Sequence, residues 1–329
     1  MGSGHLLLDI SIEFLADWGH DCGGGAREGL PMNNLRADWN PGDERFWNPE
    51  VASVVVSDDI DRLVICSDLH AYREPLEVLD QHFQDQPIAS QVLVNGDILE
   101  GGLDAIETVA WVQKHASGYT TRGNHDSGIF RYLRDGPSGM TSLGADTEMA
   151  AYMVLEEDAM EFLEGLPDVL DVRWKGFQLR LMHGHFSLQT RAYTDWRLGR
   201  DAIVELFADA TVDLMVVGHT HYPFVAIGSL GSVANPGSLA APIYRFTQLD
   251  GQQIDRRRED PDIADGVVRS SYLVVDVVDG VLDPRLVMFQ FDQERLLRRY
   301  DARDDLRMAP LFRRRWITQG HNDPSLSSG

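Results

Sequence analysis

Five short stretches of the 329-residue sequence place aspartate, asparagine or histidine directly after an apolar run. They read SDLH at 67–70, NGD at 95–97, GNHD at 123–126, HGH at 183–185 and GHTH at 218–221. Carboxylate, amide and imidazole groups without a thiolate are ligands typical of manganese, iron, zinc or nickel. The stretches hold too many such groups for one ion. They therefore predict two divalent metal ions about 3.5–4 Å apart, bridged by a carboxylate and a water.

The position of these groups in the local pattern supports the same interpretation. Each apolar run is typical of a buried strand that leads straight into a loop. In DLH at 68–70 and HTH at 219–221, the outer two residues are two positions apart and can point the same way. Glycines directly before Asp97, Asn124 and His219 are expected to allow the close backbone approach that such a site needs. Because open α/β sheets bind ligands beyond the carboxyl ends of their strands, the five stretches are expected to converge.

The segments between the apolar runs carry helical patterns. Pro75 is expected to open a helix, and further helices are predicted within 103–116, 156–165 and 197–208. Strands that alternate with helices predict a layered α/β fold. Later apolar runs, from SVANPGS to RLVMFQFD, are interpreted as further strands of a second sheet.

We divide the chain into three parts. Residues 1–60 are expected to form an irregular extension, because Gly23 to Gly25 and the stretch NPGDERFWNPE interrupt any long element. This extension is expected to cap the site or to mediate association. Residues 61–292 are expected to form the main domain, and residues 293–329 a C-terminal helix followed by a polar tail.

The composition excludes several classes of partner. The formal net charge is −23 and the sequence pI is about 4.7, which disfavours nucleic-acid backbones and anionic membrane surfaces. Only Cys22 and Cys66 occur, so no disulfide framework is predicted. No apolar stretch approaches the roughly 20 residues of a membrane helix, and the N-terminus lacks the pattern of a signal peptide. We therefore expect a cytoplasmic protein without membrane or nucleic-acid partners, whose sequence is compatible with an oligomer.

In this order and at these positions, the five stretches resemble the motifs of the calcineurin-like metallophosphoesterases. The resemblance covers residues 62–245, and NPGS at 235–238 is similar to a segment of the YfcE-like and archaeal phosphodiesterase branch. FLEGLPDVL is similar in style to the protein-phosphatase and diadenosine-tetraphosphatase branch. The resemblance implies a four-layer αββα sandwich of two mixed sheets flanked by helices, with a dinuclear metal site.

The resemblance also implies a role for each residue of the motifs. Asp97 would bridge two divalent ions, of which manganese is favoured over iron, zinc and nickel. His125 would be the active-site histidine, and Asp126 would orient it. The full set of implied metal ligands is Asp68, His70, Asp97, Asn124, His183, His219 and His221.

Two further residues are candidates for contacts with substrate. In the family, the metal ligand at the HGH stretch is the first histidine, which implies that His183 is the ligand and that His185 faces the substrate. The opposite assignment of these two histidines stays open. Arg122 lies next to GNHD and has the charge to reach a phosphate, although a salt bridge is the commoner use of arginine.

The expected activity is hydrolysis of a phosphomonoester or phosphodiester by a hydroxide that bridges the two ions. His125 would stabilise the equatorial phosphate oxygens or protonate the leaving oxygen. The expected substrate is a small phosphorylated compound or a nucleotide. Two alternatives stay open: a protein serine/threonine phosphatase or dinucleoside-polyphosphate hydrolase of the same superfamily, and a non-catalytic scaffold with this fold. GDILEGG at 96–102 lacks the arginine of the GDxVDRG motif and so does not favour the first of these.

Overall fold

The computed structural model describes residues 49–128, 154–184, 199–228, 231–242, 245–247, 253–255 and 269–303. Within these residues, strands and helices assemble into two mixed sheets with helices on their outer faces. The predicted α/β fold is confirmed. No helix among the described residues combines the length and the apolar character needed to cross a membrane.

The strands have the following bounds in chain order: β1 Val51–Val55, β2 Arg62–Cys66, β3 Ser90–Asn95, β4 Thr120–Thr121, β5 Val169–Trp174, β6 Phe177–Met182, β7 Leu214–Val217, β8 Phe224–Ala226, β9 Ser232–Asn235, β10 Arg245–Thr247, β11 Gln253–Asp255, β12 Ser270–Val278 and β13 Val281–Phe289. The helices are α1 Arg73–Asp85, α2 Ala105–Ala116, α3 Glu157–Glu164, α4 Arg200–Phe207 and α5 Gln293–Asp301. Pro75 is the third residue of α1, so this helix begins two residues earlier than its proline indicates.

The two sheets share a mixed topology. The six-stranded sheet has the order β1-β5-β6-β7-β9-β8, the five-stranded sheet has the order β13-β12-β2-β3-β4, and β10 and β11 form a separate antiparallel pair. Strands β2, β3 and β4 run parallel to one another, as do β6, β7 and β9. The loops that follow parallel strands leave a sheet at the same edge, which is where the predicted ligands lie in sequence.

Alternating side chains of β2 separate two apolar layers, as the two-residue period of a strand requires. Leu63 and Ile65 are fully buried between the two sheets, in a cluster with Trp174 of β5. Val64 and Cys66 point the opposite way, into a cluster that includes residues of α1, α2, α3 and α5. On the far side of the six-stranded sheet, α4 packs through two buried side chains, Ile203 and Phe207. The four layers are therefore helices, sheet, sheet and helix.

Residues 51–55 correct the prediction of an irregular extension up to residue 60. They form β1, which pairs in parallel with β5 from Val51↔Val169 to Val55↔Arg173. β1 is an edge strand with an exposed, half-buried, exposed alternation, and the side chain of Val55 is 72% exposed. Four of its five residues, VASVV, are apolar, so this run was a usable strand signal that the sequence prediction missed. Residues 1–48 lie outside the described residues.

Candidate metal centre

The predicted ligands meet at the carboxyl ends of strands from both sheets. Asp68 and His70 follow β2, Asp97 follows β3, and His183 follows β6. The other predicted ligands follow β4 and β7 and are Asn124, His219 and His221. Among the described residues, three sets of groups could hold a metal ion, and the ligand atoms of each set lie within 4.8 Å of one another. Two of these sets share Asp97, and the third comprises His70, Glu100 and His125.

The loops that carry these groups have unusual backbone geometry. Nine described non-glycine residues have positive φ, and seven of them lie in the loops of the candidate centre. The other two, Lys175 and Asp279, lie in the turns of the β5–β6 and β12–β13 hairpins. The seven in the loops of the centre are Asp68, His70, Ala71, Asp97, Glu100, His219 and His221. This conformation costs about 1–2 kcal/mol for a residue with a Cβ, so it persists only where the surroundings enforce it. Backbone bonds between the loops, such as His70 N–H to the Asp97 carbonyl at 2.9 Å, provide that enforcement.

One set of groups comprises Asp68, His70, Asp97 and His221. Nδ1 of His70 lies 2.9 Å from the Glu100 carbonyl oxygen, and Nδ1 of His221 lies 2.6 Å from that of Ala241. A carbonyl only accepts hydrogen bonds, so each neutral ring carries its proton on Nδ1. The lone pairs of the two Nε2 atoms, which lie 2.9 Å apart, therefore point at the same small volume.

The other set that contains Asp97 also includes His183 and His219, with the Asn124 amide beside it. Nε2 of His183 lies 3.0 Å from Asp97 Oδ2, while its Nδ1 lies 2.7 Å from the Asn95 carbonyl oxygen. Nδ1 of His219 lies 2.8 Å from Asn124 Oδ1. Residues from both sheets thus converge on the carboxylate of Asp97.

Two buried carboxylate oxygens at the centre of these sets, Asp68 Oδ1 and Asp97 Oδ2, face imidazole nitrogens rather than backbone or hydroxyl donors. The side chains of both residues are at most 1% exposed, and imidazole nitrogens are their polar neighbours. Burying a charged oxygen is expensive unless a counter-charge is close. A divalent cation between the carboxylates and the imidazole lone pairs fits this donor set.

The electrostatics of the cluster favour positive charge. Burial, together with the neighbouring His221, lowers the pKa of His70 to about 3, so this ring is neutral. Burial also opposes protonation of His183, but the Asp97 and Asp68 carboxylates outweigh it and raise the pKa of His183 to about 9. Burial alone would raise the pKa of Asp97, yet His183 and His125 hold it well below its usual value. Both aspartates are therefore ionised and attract a cation.

A comparison with known protein families matches the part of the chain that contains these candidate ligands. A family model described as the calcineurin-like phosphoesterase superfamily domain matches residues 62–250, which is more than half of the chain. The chain belongs to this superfamily. The match spans every strand and loop that contributes to the metal centre and ends before α5.

Individual proteins are also similar to this calcineurin-like chain. An uncharacterized protein of Methanocaldococcus jannaschii is 22% identical over 233 residues, which cover 70% of this chain and 88% of the relative. A crystal structure of a metallophosphoesterase from Sphaerobacter thermophilus has a TM-score of 0.51 and 20% identity, covering 76% of this chain and 98% of that one. A crystal structure of a hypothetical protein from Pyrococcus horikoshii OT3 has a TM-score of 0.59 and 13% identity, and the match covers 82% of this chain and 100% of that one. These structures show the shared fold.

His125 lies beside the metal centre of this calcineurin-like domain but has a different carboxylate partner from the predicted one. Its Nδ1 lies 2.7 Å from Glu100 Oε2, and its Nε2 lies 3.9 Å from Asp97 Oδ2. The carboxylate of Asp126 instead accepts hydrogen bonds from the backbone N–H groups of Ile98, Leu99 and Gly123, at 2.8, 3.1 and 2.8 Å. The prediction that Asp126 orients His125 is therefore wrong, and Glu100 occupies that position.

Helical backbone explains this correction. Residues 124–128 form a helical turn, in which consecutive side chains do not face each other. Asp126 consequently turns away from His125 and braces the loop after β3. Sequence reasoning missed Glu100, although its place three residues after Asp97 in GDILEGG was a usable signal.

Arg122 does not face the metal centre. Its Nη2 donates hydrogen bonds to the carbonyl oxygens of Glu164 at 2.7 Å and Leu166 at 2.6 Å, and lies 3.8 Å from a carboxylate oxygen of Glu50. The guanidinium thus satisfies carbonyls at the end of α3, where a cation also complements the helix dipole. The contact of Arg122 with substrate stays a prediction that these hydrogen bonds do not favour, and His185 lies outside the described residues.

The NPGS stretch braces the ligand loops without contributing a ligand. Asn235 Nδ2 donates to the Gly218 carbonyl at 3.0 Å, next to His219. Ser238 Oγ donates to the Asp68 carbonyl at 2.8 Å and accepts from Ala241 N–H at 2.7 Å. Since the Ala241 carbonyl fixes the His221 tautomer, this serine connects the loops of two predicted ligands.

The expected close approach of the backbone is confirmed at the glycines of these loops. A Cβ on Gly123 would lie 2.1 Å from Asp97 Oδ1, and one on Gly218 would lie 2.3 Å from Ser67 Oγ. A Cβ on Gly96, whose φ is +76°, would lie 2.8 Å from the His183 ring. Side chains at these positions would displace the ligands themselves.

Gly123→Ala is therefore expected to reduce metal binding and to lower the free energy of unfolding by about 1–3 kcal/mol, the usual cost of overpacking. Metal content after dialysis and the urea unfolding midpoint would measure the two effects. Gly199→Ala is the matched control, because a Cβ there meets no atom within 4 Å. Wild-type metal content in Gly123→Ala would contradict the placement of Asp97.

Proposed function

We propose that this chain is a dinuclear metal-dependent phosphoesterase. In this proposal Asp68, His70 and His221 hold one divalent cation, and Asn124, His183 and His219 hold the other. Asp97 is shared by both. The observation that carries the proposal is the convergence of two imidazole lone pairs, fixed by backbone carbonyls, on two buried carboxylate oxygens that face imidazole nitrogens.

The bound cations would lower the pKa of a water molecule and offset negative charge on phosphate oxygens. Backbone carbonyl oxygens would keep the proton of three of the four ligand imidazoles on Nδ1 and so hold these rings in their binding orientation. That support comes from Glu100 for His70, from Asn95 for His183 and from Ala241 for His221. These contacts are already present in the protein, so little reorganisation is needed on binding.

His125 is the residue proposed to act on the substrate. It is 7% exposed and lies at the edge of the cluster, with Nδ1 against Glu100 and Nε2 on the side of Asp97. A carboxylate oxygen 2.7 Å from Nδ1 restrains the orientation of the ring. His125 is thereby suited to stabilise a phosphate oxygen or to protonate a leaving oxygen through Nε2.

The metal content of the purified protein is the first test. Full occupancy is expected to be two divalent ions per chain, with manganese favoured among the metals that this donor set accepts. Removal of the ions with a chelator is expected to abolish hydrolysis of bis(p-nitrophenyl) phosphate, and added Mn²⁺ is expected to restore it. A chain that binds two ions and hydrolyses no phosphate ester would instead be a scaffold with this fold.

A substrate panel separates the enzymatic alternatives. Phosphorylated metabolites and nucleotides are compared with p-nitrophenyl phosphate, bis(p-nitrophenyl) phosphate, a phosphopeptide and diadenosine tetraphosphate. Turnover of a small phosphorylated compound above the generic diester supports the proposal. Turnover of the phosphopeptide or of diadenosine tetraphosphate well above the other substrates would favour a protein phosphatase or a dinucleoside-polyphosphate hydrolase.

A further inference from the structure

The C-terminal helix α5 contacts the metal-centre loop from outside the residues that match the superfamily. Two of its side chains reach the segment between Glu100 and Asp104. The Tyr300 hydroxyl donates a hydrogen bond to the Gly101 carbonyl. Arg299 binds Asp104 through both guanidinium Nη atoms, and its Nη1 also donates to Glu74 at 2.7 Å. Helix α5 therefore contacts the five-residue segment 100–104 at Gly101 and at Asp104.

That segment performs two tasks at the centre. The Glu100 carbonyl lies 2.9 Å from Nδ1 of His70, and the Glu100 carboxylate lies 2.7 Å from Nδ1 of His125. One residue thus contacts both a predicted ligand and the predicted active-site histidine. A rotation of the backbone at Glu100 would disturb both rings.

The backbone at Glu100 needs external support. Its φ is +68°, a conformation that a residue with a Cβ rarely adopts, and the following Gly101 has a φ of +111°. A conformation of this kind persists only when neighbouring contacts over-determine it. One such contact is local, from Gly102 N–H to the His70 carbonyl at 2.6 Å. A second joins Asp104 N–H to the Ala71 carbonyl at 2.9 Å, and further contacts come from α5, about 200 residues further along the chain.

We propose that Tyr300 is a positioning residue, which holds the Glu100 turn and thereby the orientation of His125. The inference rests on the proposed phosphoesterase function, because its main readout is turnover. Tyr300 is 1% exposed, and its ring packs edge-on against that of Tyr72 with 6.3 Å between the ring centroids. Its hydroxyl is directed at the Gly101 carbonyl. The hydroxyl and the ring therefore have separable roles.

Tyr300→Phe isolates the hydroxyl, because the phenyl ring retains its packing. We expect kcat for bis(p-nitrophenyl) phosphate to fall about tenfold, as for other groups that orient a catalytic side chain, with KM and metal content within about twofold of wild type. Tyr272→Phe is the matched control. It removes a tyrosine hydroxyl from the same apolar cluster, where its partner is His82 Nδ1 at 3.0 Å on α1. A wild-type kcat in Tyr300→Phe, or an equal loss in Tyr272→Phe, would overturn the proposal.

A double-mutant cycle tests whether Tyr300 acts through Glu100. Glu100→Gln is expected to lower kcat by about 10–100-fold, and adding Tyr300→Phe to it is expected to cost less than about twofold more. Multiplicative losses would show that the two residues act independently and would overturn the route. If the wild-type protein hydrolyses no substrate, the proposed function fails by itself. In that case the ¹⁵N chemical shifts of the His125 imidazole test the inference. They are expected to change in Tyr300→Phe and to stay unchanged in Tyr272→Phe. Unchanged shifts in Tyr300→Phe would reject the inference.

Discussion

Asp97→Asn is expected to release both metal ions and to lower phosphoester hydrolysis by about a thousandfold or more. The carboxylate is the one group shared by the set that contains His221 and the set that contains His219. An amide keeps the shape but loses the charge, and one of its two polar atoms becomes a hydrogen-bond donor that cannot bind a cation. A loss of several kcal/mol of electrostatic stabilisation corresponds to this factor in rate. Calorimetric titration with Mn²⁺ and metal analysis would measure the loss of affinity.

Single-site variants make this prediction specific. His219→Ala and His221→Ala each remove a group from only one set, so each is expected to weaken one of the two ions more than the other. Asp171→Asn is the control for a lost aspartate charge, since that carboxylate pairs with Arg180 at 2.7 Å in the β5–β6 hairpin. Retention of two tightly bound ions in Asp97→Asn would refute the shared position of this carboxylate.

The convergence of the ligands could be predicted from the sequence because it depends on a local rule. Each ligand directly follows a buried strand, and loops after parallel strands emerge at the same edge of a sheet. Asp68, Asp97 and His219 follow β2, β3 and β7 in this way. Identifying the strand ends was therefore enough to bring together residues about 150 positions apart.

The surroundings of His125 could not be predicted in the same way. Adjacency in sequence favoured Asp126, but the helical turn directs that carboxylate to three backbone amides. Glu100 reaches His125 only because its backbone takes a left-handed conformation. Contacts from Tyr300, at the other end of the chain, support that conformation, and no local pattern encodes them.

Two other features were not predicted from the sequence: the hydrogen bonds of Arg122 and the strand β1. Arg122 was a candidate for substrate binding because of its position beside GNHD, yet it lies where carbonyls at the end of α3 need donors. A strand exit and a helix end meet there, which only the tertiary structure reveals. β1 was missed although its residues VASVV are mostly apolar, because the interruptions that precede it were taken to extend through residue 60.

His125→Ala is expected to lower kcat by about 10²–10⁴-fold while both metal ions stay bound, since general acid catalysis has this magnitude. The ring lies beside the ligands, and its Nδ1 is oriented by Glu100 rather than toward Asp97. Loss of the imidazole therefore removes a group that acts on the substrate and leaves the ligand carboxylates in place. His115→Ala is the matched control, because that ring stacks on Trp111 at 4.7 Å within α2. Loss of metal together with activity would place His125 among the ligands instead.

The dependence of this loss on the leaving group distinguishes the two roles proposed for His125. If Nε2 protonates the leaving oxygen, the His125→Ala loss is larger for a methyl or phenyl ester than for a p-nitrophenyl ester, whose leaving oxygen needs no proton. If the imidazolium stabilises a non-bridging phosphate oxygen, the loss is similar for all leaving groups, because that charge develops in every case. Glu100→Gln should reproduce the same pattern at smaller amplitude, because it weakens the orientation of the same ring. A different pattern in the two variants would mean that the Glu100 carboxylate acts on the reaction through another neighbouring group, such as His70, rather than through His125.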